Sequence, residues 1–119
     1  LRKHGGDTPR GQLLAIGEVL EEMFHLDSFN GCIFVNVSVE FPTPHDPVHI
    51  AAAEHKQLME DLLREIAGYA GADDALALAR EISVVMEGSY VTRQVTGRRD
   101  TGDVTKHLVE MAVKKRLGK

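Results

Sequence analysis

Three of the four prolines, Pro42, Pro44 and Pro47, fall within six residues, and a long apolar repeat begins directly behind them. A proline ring removes a backbone donor, clashes with the preceding turn and restricts the residue before it, so no helix crosses this stretch. The same chemistry restarts one. Asp46 is a capping residue, and Pro47 suits the first helical position, where its missing N–H costs nothing. Val48, Ala51, Ala52, His55, Leu58, Met59, Leu62 and Ile66 then recur three and four apart, which predicts a helix ending around Gly68 and Gly71.

Three further helices follow from the same signals. Thr8 and Pro9 open one whose stripe is Leu13, Ile16, Leu20 and Phe24, stopping near His25 and Leu26. Asp73 or Asp74 opens another through Leu78, Ile82, Val85, Met86, Tyr90, Val91 and Val95, broken at Thr96-Gly97. Its apolar residues cover most of the circumference, so it is buried on several sides or meets a partner. Gly88 and Ser89 in its middle imply a close backbone approach there. The last helix starts at about Gly102-Asp103 and carries Val104, Leu108, Met111 and Ala112. Residues 30–41 are ambiguous. Val35, Val37, Val39 and Phe41 alternate like a strand, yet Phe34, Val37, Ser38 and Phe41 share a helical face and no second strand offers pairing.

Length and balance narrow the class. The 119 residues suit one domain, 43% hydrophobic and 27% charged, and aromatics at 5% with no Trp demand an aliphatic core. A net charge of −4 argues against nucleic-acid binding by this chain itself. Of the dense basic groups, Lys114-Lys115-Arg116 lies where cations offset a helix dipole. Cys32, the single cysteine, fits a reducing compartment such as the cytoplasm. No apolar run or leader pattern suggests a membrane or secretion, and the opening Leu1-Arg2-Lys3-His4 reads as the interior of a longer pattern.

Catalytic constellations are missing from the pattern. No nucleophile elbow, Walker loop or dinucleotide fingerprint occurs, so neither an enzyme nor a cofactor is expected. His45 and His49 are four apart, but Pro47 leaves His45 outside the helix and removes the shared face a metal would need. Glu21-Glu22 and Glu60-Asp61 read as solvated helix faces, and Glu87 as the acid nearest to burial. His55 lies on an apolar stripe, as an interior histidine or as a polar handle on a cavity. Met23, Met59, Met86 and Met111 also occupy apolar stripes, where thioethers fill cores or line adaptable cavities.

Two blocks carry a resemblance. Gly31-Cys32-Ile33-Phe34-Val35-Asn36-Val37-Ser38-Val39-Glu40-Phe41-Pro42 is followed by His45-Asp46-Pro47-Val48 and Glu54-His55-Lys56. The second block is Met86-Glu87-Gly88-Ser89-Tyr90-Val91 with Gln94-Val95-Thr96-Gly97. Their order and spacing over residues 8–97 resemble the C-terminal regulatory domain of the TetR/AcrR transcriptional regulators. The resemblance implies an all-α, orthogonal bundle of about five helices, with residues 30–41 helical against their local propensity. It also implies residues 1–119 as one effector-binding and dimerisation domain, its last two helices forming a dimeric four-helix bundle. The helix-turn-helix module, through which alone DNA would be contacted, has no counterpart in this sequence.

On that basis a small apolar or amphipathic effector is expected among Phe24, Phe34, Val37, His55, Met59, Leu62, Met86 and Tyr90. Homodimer contacts are expected at Gly88, Val91, Val95, Leu108 and Met111. Two other readings remain at this stage: a dimerisation module with a filled core, and a small metal protein or enzyme using His45, His49 and His55.

Overall fold

Three of the four described helices start where short polar side chains satisfy their first amide groups. The structure, a computed structural model, describes residues 8–24 and 45–118. α1 (Pro9–Phe24) opens with Gly11 N–H donating to Thr8 Oγ1 at 3.1 Å. α2 (Pro47–Tyr69) opens with Val48 N–H on Asp46 Oδ1 at 2.8 Å, Asp46 being extended and Pro47 first in the helix. α3 (Ala75–Thr96) is capped by Asp74, whose carboxylate accepts from Ala77 N–H at 3.0 Å. It ends at Gly97, whose φ of 66° is the left-handed conformation that favours glycine. α4 (Thr101–Leu117) places Lys114, Lys115 and Arg116 in its last turn, beside the negative end of the helix dipole.

Long-range contacts fix how these helices lie. Lys56 pairs with Glu87 and Glu60 with Arg80, so moving forward on α2 means moving backward on α3. Ser89 pairs with Thr105 and Glu81 with Arg116, giving α3 and α4 the same antiparallel relation. A backbone bond from Asp73 N–H to Arg116 O, 3.1 Å, ties the α2–α3 turn to the end of α4. α1 packs most extensively on α4 and only lightly on α2. The α1–α4 approach is tight at Gly17, where an added Cβ would lie 2.7 Å from the Lys106 Cα.

All four helices feed one aliphatic core. Leu13, Ile16 and Leu20 meet Leu63 and Ala67, Leu78, Ala79 and Ile82, and Val109 and Val113. Among the described residues every regular element is an α-helix. The fold class is therefore all-α, with four helices among the described residues and about five expected for the whole chain. The ambiguous residues 30–41 lie outside the described residues, as do Phe34 and Val37.

The close approach expected at Gly88 is not made within this chain, as suits a residue expected at the contact between two copies. Within this chain nothing lies within 4 Å of a Cβ built on Gly88, which faces outward. The tight contact is at Gly17, on the buried side of α1, because α1 and α4 are the pair that press together.

Candidate ligand cleft and docking face

α3 separates two apolar surfaces. On one side, Met86 and Tyr90 face α2 and α1 across a cavity of about 220 Å3 lined with Ile16, Val19, Leu20, Met59, Leu62 and Leu63. This cavity adjoins a second of about 370 Å3, Met59, Leu63, Met86 and Tyr90 lining both. The second cavity adds the polar groups His55, Lys56, Gln57, Glu60, Ser83 and Glu87. Together they make a cleft with an apolar end and a charged mouth, the mixture by which small-molecule sites hold a body and orient a head.

Helical spacing explains the grouping. His55, Met59, Leu62 and Leu63 lie three and four apart on α2, and Met86 and Tyr90 lie four apart on α3. Five of the eight residues expected at an effector site thus share this cleft: His55, Met59, Leu62, Met86 and Tyr90. Phe24 closes α1, and its side chain is outside what the structure describes, as are Phe34 and Val37.

Charges at the mouth bridge the two helices. Lys56 Nζ lies 2.6 Å from Glu87 Oε1, and Arg80 Nε lies 3.3 Å from Glu60 Oε1. Glu60 corrects an expectation. It does not belong to a solvated face, since its side chain is 21% exposed and it lines the cleft beside Met59. The periodicity holds the reason, as residue 60 lies one turn beyond Lys56 and three before Leu63 on the side of α2 that meets α3. Its neighbour Asp61 does stay at the surface, bonded to Gln57 at 2.9 Å. Among the described residues no group of three His, Cys, Asp or Glu is placed to hold a metal ion.

The other side of α3 is open. Val84, Gly88, Val91 and Val95 form a stripe at i, i+4, i+7 and i+11, with Val84 69%, Val91 45% and Val95 78% exposed. On α4, Val104, Leu108 and Met111 form a second exposed stripe at i, i+4 and i+7. Val84, Gly88, Val104 and Leu108 meet along a groove of about 420 Å3 whose floor includes Ser89 and Thr105. All five residues expected at a dimer contact lie on these two stripes. Val84 and Val104 extend the stripes and were missed, although each stands four residues before a residue that was named.

The described residues thus define an all-helical domain with an apolar stripe exposed on α3 and α4 and a cleft walled by α1, α2 and α3. The chain belongs to the tetracyclin repressor-like C-terminal domain family, whose sequence model matches residues 10–109. It is 27% identical over 100 residues to the HTH-type transcriptional regulator YjdC of Escherichia coli K12, and equally to YjdC of Shigella flexneri. That match takes in 84% of this chain and 52% of each relative, so the chain spans about half the length of these curated relatives.

The crystal structure of a TetR-family transcriptional regulator from Streptomyces coelicolor shares the fold, with a TM-score of 0.87 at 24% identity. It aligns with 93% of this chain and 59% of its own. A second structure, from Streptomyces avermitilis and assigned to the same regulators, aligns at a TM-score of 0.78 and 25% identity over 90% of this chain and 60% of its own. No described helix is long and apolar enough to cross a membrane.

Proposed function

We propose that residues 1–119 are the sensing and dimerising half of a cytoplasmic transcriptional regulator. A small amphipathic effector enters the cleft of Met59, Leu62, Met86 and Tyr90, with His55 or Tyr90 orienting its polar group. Two copies join through the α3 and α4 stripes, and the effector controls operator binding by a helix-turn-helix module outside this sequence.

The observation that carries this reading is that α3 serves both surfaces. Met86 and Tyr90 enter the cleft, while Gly88 and Val91, interleaved with them along the helix, belong to the outward stripe. A symmetric pair of chains buries such a stripe against its own copy. An effector then alters the relation of the two copies only so far as it binds one arrangement of α3 better than another.

The reading is tested by thermal unfolding against a panel of small amphipathic compounds. A ligand that prefers the folded chain raises the unfolding temperature, and replacing Met86 with Trp to fill the cavity should abolish the rise. A panel without any stabilising compound, or stabilisation that survives Met86→Trp, would count against the cleft as an effector site.

A further inference from the structure

We infer that the cleft takes a cationic amphiphile, its apolar body between Met59, Leu62, Met86 and Tyr90 and its positive head at Glu60 and Glu87. This rests on the proposed role of the cleft as an effector site and adds the sign of the ligand's charge.

Charge and burial at the mouth carry the argument. Among the described lining residues are one side-chain cation of fixed charge, Lys56, and two carboxylates, Glu60 and Glu87. Lys56 is already engaged by Glu87 at 2.6 Å. Glu60 has Arg80 at 3.3 Å, but the two partners sit in different surroundings. The Arg80 side chain is 65% exposed and its charge is screened by water, whereas the Glu60 side chain is only 21% exposed and borders the cleft. The described lining therefore presents an excess of negative charge to whatever enters.

The two signs of ligand fare differently. An anionic head would have to draw Lys56 from Glu87, leaving two carboxylates poorly compensated beside a third negative charge. A cationic head replaces Lys56 at Glu87, and the displaced ammonium, on a long flexible stem already 30% exposed, turns outward into water. Tyr90, Met59 and Met86 line the same cavity as the two carboxylates, and an aromatic ring and polarisable thioethers nearby suit a soft cation better than a carboxylate.

Three probes with one apolar body test this: octyltrimethylammonium, octanol and octanoate, titrated calorimetrically into the intact chain at low salt. The ammonium compound should bind about tenfold more tightly than octanoate, with octanol between them. Glu60→Gln with Glu87→Gln should abolish the tenfold preference for the ammonium compound over octanoate, with helix content from circular dichroism as the check on folding. Octanol binding that Met86→Trp abolishes, without preference for the ammonium compound, would overturn the charge assignment while keeping the cleft. Failure of all three probes to bind would overturn both.

Discussion

The hydroxyls of Ser89 on α3 and Thr105 on α4 lie 2.6 Å apart in the seam between the two helices. Ser89 Oγ is also 2.6 Å from Val85 O, and Thr105 Oγ1 is 2.7 Å from Thr101 O. Two hydroxyl protons thus serve three contacts, so the donors run in one direction along the chain: toward Val85 O through Ser89, or toward Thr101 O through Thr105. This polar thread lies under the groove between the exposed stripes and sets how α3 sits on α4.

Ser89→Ala and Thr105→Val should each destabilise the fold by about 1 kcal/mol, because the remaining hydroxyl keeps its backbone carbonyl. The double variant should lose less than the sum, with a coupling of about 0.5 kcal/mol or more, read from urea midpoints. Additive losses would mean that the two hydroxyls act independently.

Gly17→Ala and Gly68→Ala should have opposite signs. Alanine in place of helical glycine ordinarily stabilises by about 0.5–1 kcal/mol, and at Gly68 nothing lies within 4 Å to oppose it. At Gly17 the new methyl meets the Lys106 Cα at 2.7 Å, a backbone atom that yields only if α1 and α4 part. Overpacking of that kind costs about 1–3 kcal/mol, so Gly17→Ala should lower the thermal midpoint while Gly68→Ala raises it.

Ile82→Ala and Val84→Ala, two residues apart on α3, should separate folding from association. Ile82 is fully buried in the core, and its truncation should cost about 2–5 kcal/mol in chemical denaturation. Val84 is 69% exposed within one chain, so its truncation should leave subunit stability within about 0.5 kcal/mol and weaken self-association. Equal effects on both readouts would show that core and stripe are not distinct.

How much of this was legible in the sequence depends on the range of the interaction involved. The caps at Thr8, Asp46 and Asp74 were readable because a side chain and an amide two or three residues away settle them. The core stripes followed from spacing alone. Gly17 was not singled out, since its meaning depends on where α4 passes, although it stands four after Leu13 and three before Leu20 on a buried face. Glu60 was misread because adjacent acids suggest a wet face, while the helical turn sends Glu60 and Asp61 to different surroundings. The apolar breadth of α3 was visible from spacing, whereas its division into a cleft face with Met86 and Tyr90 and an outward stripe with Gly88, Val91 and Val95 was expected only through the family resemblance. Met111, which core filling would have hidden, is 55% exposed on α4.

Sedimentation equilibrium of the intact chain at micromolar concentration is the most direct test of the shared α3–α4 surface. A species of twice the 13.1 kDa chain mass is expected, and Val91→Glu should convert it to a single chain with helix content unchanged. A lone 13.1 kDa species before any substitution, or a dimer indifferent to Val91→Glu and Leu108→Glu together, would contradict the account.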